Sequence, residues 1–217
     1  SEESFTVSNS RKSIIQKDSN RNIEFPFPNL TGNHQVSNAM TAISALTHLN
    51  IPEKYICEGL KSTYWPARLQ KIKNGSLYKL IKSYNMKNQL WIDGGHNEDA
   101  SIQLKNSISF ENKKHLHIIY GSLRNKDHKS FLSNLVDVAS SLSVVDIKNQ
   151  PSSLLQPVAV STAKEVGWEK IYSAHNIRDA IKYICSQNEG ATSHATILIC
   201  GSLYLAGQAL NENGVGI

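Results

Sequence analysis

The stretch Leu116-His-Ile-Ile-Tyr-Gly-Ser-Leu-Arg-Asn-Lys-Asp127 decides the fold class. A short, largely apolar run meets a glycine, passes through a polar loop, and enters a helical spacing of apolar residues over 127–141. A strand apolar along its whole length has no solvent face, so it belongs inside a sheet covered on both sides. The same grammar recurs twice. Leu90–Ile92 runs into Asp93-Gly94-Gly95-His96-Asn97 ahead of a helical pattern over 98–109, and Thr196–Cys200 runs into Gly201-Ser202 ahead of one over 203–210. Further strands are expected at Leu77–Ile81, Leu142–Val145 and Lys170–Tyr172, and further helices at 157–166 and 176–187. Strand and helix in turn predict an α/β domain with a mostly parallel sheet.

Upstream the pattern changes. Residues 1–30 are polar and uneven, with strand-like pieces at Ser4–Val7 and Asn22–Phe27 around a polar patch from Arg11 to Arg21. Val36, Ala39, Met40, Ile43, Leu46 and Leu49 then lay an apolar stripe along one helix face, with Thr31 or Asn33 able to cap its start. Pro52 is placed to open a second short helix ending near Leu60. A domain boundary is expected near residue 62, with the end of one domain over 1–62 and a complete α/β domain over 63–217.

The whole chain of 217 residues is long for one ordinary domain and short for two. It opens at Ser1, which reads as a cut end. Its 40% hydrophobic content supports a substantial core and argues against wholesale disorder. The net charge of +5 is mild, and no dense basic run is present, so small anionic ligands suit it better than nucleic acid. Cys57, Cys185 and Cys200 lie far apart without a CxxC pair, so a reducing, cytoplasmic setting is expected. The apolar runs are too short to cross a bilayer, and no large apolar surface pattern argues for an oligomer, so a monomer is expected.

In open parallel sheets, ligands gather beyond the carboxyl ends of the strands. The polar clusters fall there, yet each has a plain structural reading. Gly94-Gly95 can be only a tight turn, Asn97 or Asp99 only a cap, and Lys126-Asp127 only a solvated helix start. Ser202 can likewise be a cap. His96 in a glycine loop has no packing duty. Trp65-Pro66-Ala67-Arg68 is equally readable as a phosphate or nucleotide contact and as a surface accident. His115 and His117 share a strand face but lack further metal ligands, so no metal site is expected. The chain holds no GxGxxG, no GxxxxGK[ST] and no GxSxG, which argues against dinucleotide, P-loop and nucleophile-elbow chemistry within it.

Taken in order, Leu30-Thr-Gly-Asn-His-Gln-Val-Ser-Asn38-Ala39, Trp65-Pro-Ala-Arg68-Leu-Gln70, Asp93-Gly-Gly-His-Asn97, Gly121 with Lys126-Asp127, and Gly201-Ser-Leu-Tyr-Leu205 resemble one family. The chain looks like the C-terminal half of folylpolyglutamate synthase/dihydrofolate synthase, in the Mur ligase superfamily. The resemblance implies that 1–62 closes a P-loop ATP-binding central domain and that 63–217 is a Rossmann-like C-terminal domain. It implies an ATP- and Mg²⁺-dependent ligase that joins L-glutamate to dihydropteroate or folate through an acyl phosphate. Carried over by position, Asn38, Arg68 and Asp93 would contact ATP, with Asp93 at the ribose hydroxyls. His96 and Ser202 would bind glutamate, and Lys126 and Asp127 would shape the catalytic site. Ala67 stands where the family often has glycine, and Gly95 where it often has alanine. With its P-loop segment missing, this chain alone is expected not to turn over. The competing readings are a non-catalytic remnant or nucleotide-binding module, and a peptidoglycan Mur ligase.

Overall fold

Ser4–Ser8 (β1) and Asn22–Pro26 (β3), each with alternating apolar positions, flank Ser13–Lys17 (β2), whose Ile14 and Ile15 are consecutive, and the three pair into an antiparallel sheet in the order β1-β2-β3. The computed structural model describes residues 3–17, 21–85, 87–108, 115–188 and 194–214. It divides into two compact units, Ser1–Trp65 and Pro66–Ile217. Among the described residues, no helix is long and apolar enough to cross a membrane.

In the first unit the β-sheet packs against Asn33–His48 (α1) and Glu53–Ser62 (α2), around Ile14, Phe25, Ile43, Ile56 and Leu60. β2 lies within the stretch expected to be only a polar patch. Its Ile14 and Gln16 are buried, and the Gln16 amide donates to Glu3. Gly32 takes the N-cap of α1 in place of Thr31 or Asn33, because the chain enters the helix at φ 111°, which glycine adopts at little cost. Leu49, expected on the buried stripe, is 71% exposed, since the helix has already ended beside it.

The second unit contains Gln70–Ile72 (β4), Ser76–Tyr84 (α3), Gln89–Ile92 (β5), Glu98–Ile108 (α4), Leu116–Tyr120 (β6) and His128–Ser133 (α5). It continues with Ser141–Val144 (β7), Gln156–Glu165 (α6), Ile171–Ser173 (β8), Ile177–Gln187 (α7), Thr196–Cys200 (β9) and Leu203–Asn213 (α8). The sheet order is β4-β5-β9-β6-β7-β8, with β4 antiparallel and the other strands parallel. From β5 the chain steps along the sheet through β6, β7 and β8, then returns to β9. Right-handed crossovers place helices from opposite steps on opposite faces. Accordingly Leu104 of α4, Phe131 of α5 and Ala159 of α6 pack with Ile118 and Leu198 on one face. Ile181 of α7 and Ala206 of α8 pack with Ile119 and Ile199 on the other.

Two expected elements are corrected. Leu77–Ile81 is helix α3, not a strand. Leu77 and Ile81 stand four apart and are both fully buried, which is helical spacing, and Asn213 Oδ1 accepts the first free amides from Leu77 and Tyr78 at 3.0 and 3.2 Å. The helix expected over 127–141 stops at Ser133. The Leu132 carbonyl, which a continuing helix would offer to residue 136, instead accepts from Trp168 Nε1 at 3.1 Å and from Leu135 N at 3.3 Å. The described part of the helix expected over 98–109 is α4, and residue 109 lies outside the described residues.

Candidate functional site

β9 lies between β5 and β6, and the helices that follow these strands leave in opposite directions. α8 goes to one face, while α4 and α5 go to the other. In open α/β sheets such a divergence at the carboxyl ends of the strands marks the edge where ligands gather. The loops 93–97, 121–127 and 201–202 lie along that edge and are tied to one another by backbone hydrogen bonds. Asp93 N donates to Ile199 O at 2.9 Å, Gly201 N to Gly95 O at 3.0 Å, and Gly121 N to Cys200 O at 3.4 Å. Gly201 sits at φ 109°, and a Cβ there would lie 2.6 Å from the Tyr120 ring, so a larger residue would separate these loops.

The loop ahead of β4 is drawn into the same edge. Gly94 N donates to Ala67 O at 2.8 Å, Ala67 N to Gln70 Oε1 at 2.9 Å, and Leu69 N to Asp93 Oδ2 at 2.7 Å. Ala67 and Leu69 have φ of 58° and 41°, in the left-handed region that costs a residue with a Cβ. Arg68, half-buried, is carried between these two constrained residues. Glycine would take the φ of Ala67 at little cost. At Gly95 the constraint is the opposite, because a Cβ would meet Asp93 Oδ1 at 2.8 Å and Ala100 Cβ at 2.9 Å.

Asp93 is the centre of this arrangement. It is only 7% exposed, and its other oxygen, Oδ1, accepts from Gly95 N at 2.6 Å. Expected at the ribose of a nucleotide, its carboxylate here binds backbone amides on both oxygens and clasps the Arg68 loop to the glycine loop. His96 follows directly, with Nδ1 at 3.1 Å from Gly94 O. Asn97 Oδ1 caps α4 by accepting Ala100 N at 3.0 Å.

Ser202 is buried and its Oγ accepts Tyr204 N at 3.1 Å, so its hydroxyl is held at the start of α8. Lys126 is half-buried and Asp127 exposed. Asp127 Oδ1 accepts Ser130 N at 3.0 Å as the N-cap of α5, and hydrogen bonds from the Ser130 hydroxyl and amide hold its carboxyl below the usual carboxylate range. Sequence reading missed Tyr120 and His128, whose hydroxyl and Nδ1 meet at 3.0 Å beneath the 121–127 loop. Burial pushes the His128 imidazole down from its ordinary pKa. Gln70 was also missed as a loop anchor, although it adjoins the Trp65–Arg68 motif.

The structure thus brings Arg68, Asp93, His96, Lys126, Asp127 and Ser202 to one edge of the second unit. Asn38 belongs to α1 of the first unit, where it is exposed and its Nδ2 donates to the buried Gln35 at 3.2 Å. The two strand histidines find partners within the second unit. His117 Nδ1 meets Ser141 Oγ at 2.8 Å, and the His115 ring stacks on His194 at 4.1 Å. Among the described residues, no three His, Cys, Asp or Glu side chains gather as a metal site.

Comparison with known proteins follows this geometry. The family profile of the dihydrofolate synthetase C-terminal domain matches residues 76–212. A folylpolyglutamate synthase of Lacticaseibacillus casei is 26% identical over 183 residues, covering 82% of this chain and 38% of that protein. A probable dihydrofolate synthetase of Schizosaccharomyces pombe is 23% identical over 192 residues, covering 82% of this chain and 42% of that protein. Among solved structures, Mycobacterium tuberculosis folylpolyglutamate synthase complexed with ADP and AMPPCP superposes with a TM-score of 0.76 at 21% identity, over 97% of this chain and 47% of that one. The bifunctional folylpolyglutamate synthase/dihydrofolate synthase of Yersinia pestis gives 0.69 at 19% identity, over 95% and 44%. These two structures share the fold, and this chain spans less than half the length of each of the four proteins.

Proposed function

Because the chain belongs to the dihydrofolate synthetase C-terminal domain family, we propose that it is the glutamate-side portion of an ATP-dependent carboxylate–amine ligase. The reaction is addition of L-glutamate to dihydropteroate, to a folate, or to both. The observation that supports this reading is the convergence of the Arg68, 93–97, 121–127 and 201–202 loops on one sheet edge, where the side chains of Arg68, His96, Lys126 and Ser202 are of the types that donate to phosphate and carboxylate groups.

A carboxylate is a poor electrophile, and transfer of the γ-phosphoryl group of ATP to its oxygen supplies a leaving group. The amine nitrogen of glutamate then bonds to the carbonyl carbon, the C–O bond to phosphate breaks, and phosphate departs. Within this chain, Arg68 serves the phosphate charge, as a rigid guanidinium fork does well. Asp93 serves the nucleotide side by fixing the loop that presents Arg68, and Asn38, in the first unit, is by itself a candidate ATP contact. His96 and Ser202 face glutamate, while the half-buried Lys126, beside the cap Asp127, balances charge during transfer. The phosphate-cradling P-loop would come from a preceding segment. A magnesium ion would offset charge gathering on the phosphates.

The test joins this chain to a P-loop segment and follows labelled L-glutamate with dihydropteroate or tetrahydrofolate as acceptor. One ADP should form per amide, and Arg68→Ala should reduce the rate at least tenfold. An enzyme that forms no amide with either acceptor refutes the ligase reading.

A further inference from the structure

At the amino ends of β6, β7 and β8, on the edge opposite the motif loops, the last turns of α7 border a cavity of about 680 Å³. Its lining includes His117, Ser140, Ser141, Tyr172, Tyr183 and Gln187. From His117 to Gly121 the chain advances four residues, roughly 13 Å at about 3.3 Å each, so the cavity is separate from the 121–127 loop. His117 is only 5% exposed, and its Nδ1 meets the Ser141 hydroxyl at 2.8 Å and the Ser140 hydroxyl at 3.3 Å. Two hydroxyls on one ring nitrogen are best met by its lone pair, which puts the hydrogen of the neutral ring on Nε2. Burial keeps the ring neutral, with its pKa pushed down to about 4. Among the described residues Nε2 has no hydrogen-bond partner. The Asn188 side chain, whose Nδ2 donates to Ile184 O at 2.7 Å, stands near enough to favour the charged ring without satisfying Nε2. The Ser143 hydroxyl, two residues along β7 from Ser141 and on the same face, is buried and unpartnered as well. Buried polar groups are nearly always paired, so an orphaned donor beside a cavity calls for an acceptor inside it.

The same cavity has an aromatic wall. The Tyr172 and Tyr183 rings stack with centroids 3.8 Å apart and planes 13° apart, and the Tyr172 hydroxyl donates to Asp179 Oδ2 at 3.2 Å. Tyr183 is 38% exposed, so ring area remains for a further flat group. The charged lining residues, Glu169 and Lys170, are exposed and opposite in sign, and the neutral imidazole adds no charge. A neutral guest suits such a lining better than an anion. We propose that this cavity is a second small-molecule site, taking a neutral planar heteroaromatic ring with a carbonyl or ring-nitrogen acceptor on its edge. The ring lies against the Tyr172–Tyr183 stack, and the acceptor takes the His117 Nε2 hydrogen. The volume falls within the range of about 300–1,000 Å³ usual for small-molecule pockets. This site does not rest on the ligase reading, because none of its lining residues belongs to the Arg68, 93–97, 121–127 or 201–202 loops.

The experiment titrates the full chain, labelled at histidine and tyrosine for NMR, with two flat bicyclic probes. Hypoxanthine is neutral and carries carbonyl and ring-nitrogen acceptors, whereas indole has a similar shape and no acceptor. Hypoxanthine should shift the His117, Tyr172 and Tyr183 ring signals together and saturably, with a Kd below about 1 mM. Indole should bind about tenfold more weakly or worse, since a site built around a hydrogen bond rejects the analogue that lacks its partner. His117→Phe should abolish that preference, and His117→Gln, which keeps an N–H donor, should retain part of it. Tyr183→Ala, at an exposed position of α7 where folding is spared, should weaken both probes alike. Equal affinity for the two probes in the wild-type chain would overturn the proposal, leaving an apolar hollow that does not use the histidine. Shifts confined to 67–70 and 93–97 would place the probe at the motif edge and overturn it too. Unsaturable shifts, or none at His117 and the two tyrosines, would mean that the cavity holds only water.

Discussion

Replacing Asp93 with alanine tests the clasp at the centre of the site. The side chain is buried, and its oxygens accept Leu69 N at 2.7 Å and Gly95 N at 2.6 Å. Alanine leaves both amides without their acceptor, at about 1–3 kcal/mol each. Part of that loss is returned, because Ala67 and Leu69 are held at positive φ and strain of about 1–3 kcal/mol per residue relaxes once the loop is released. The net expectation is a destabilisation of the second unit by about 2–4 kcal/mol. At about 2–4 °C per kcal/mol for a unit of this size, the melting temperature should fall by roughly 4–16 °C. Asp93→Asn keeps one carbonyl oxygen and should cost roughly half as much. Urea unfolding followed by tryptophan emission measures the free energy, and amide hydrogen exchange at Leu69 and Gly95 locates it. If Asp93→Ala stays within about 0.5 kcal/mol of wild type while both amides remain protected, the carboxylate is not the clasp and the argument fails.

Three other expectations follow from the same packing. Gly95→Ala should destabilise by about 1–3 kcal/mol, since its Cβ meets Asp93 Oδ1 at 2.8 Å, whereas Ala67→Gly should be neutral to stabilising by up to about 1 kcal/mol because it relieves φ 58°; equal effects in urea titration would contradict both. Asn213→Ala should cost about 2–4 kcal/mol, because it removes the acceptor of Leu77 N and Tyr78 N and the donor to Asn74 O at 2.9 Å, and loss of exchange protection confined to the start of α3 would identify that cause. Burial, with His115 beside it, pushes the His117 imidazole down to about 4 from 6.5. The unfolded chain then binds more protons between those values, so stability rises with pH across that window. The contribution, at most about 3 kcal/mol, is complete above the unfolded pKa and is lost as pH falls toward the folded one. His117→Gln should flatten that slope, and an unchanged slope would assign it to other groups.

Much of the architecture was legible because strand and loop signals are local. Leu90–Ile92, Leu116–Tyr120 and Thr196–Cys200 are largely apolar, and each ends at an Asp-Gly or Gly-Ser turn, so the strands of the sheet and the loops at their carboxyl ends followed from local pattern. The failures share a cause. Leu77–Ile81 was read as a strand although its buried residues recur at helical spacing, because the cap that starts α3 comes from Asn213 at the far end of the unit. Gln70–Ile72 offered only three residues and became a strand by pairing with Leu90–Ile92. His128–Ser133 ends early because Trp168, distant in sequence, takes a carbonyl the helix would have used.

By itself, the sequence determined the alternation of buried strands and helices and the glycines at strand ends. Each depends on residues within a few positions of one another, where covalent geometry and side-chain periodicity suffice. Tertiary structure alone decided that Asp93 clasps two loops, that Ala67 and Leu69 are held in the left-handed region around Arg68, and that one peptide links Asp93 to His96. The Leu69–Asp93 and Ala67–Gly94 bonds join segments that meet only when β4 pairs with β5. The partners of a buried carboxylate are chosen by the packing that buries it.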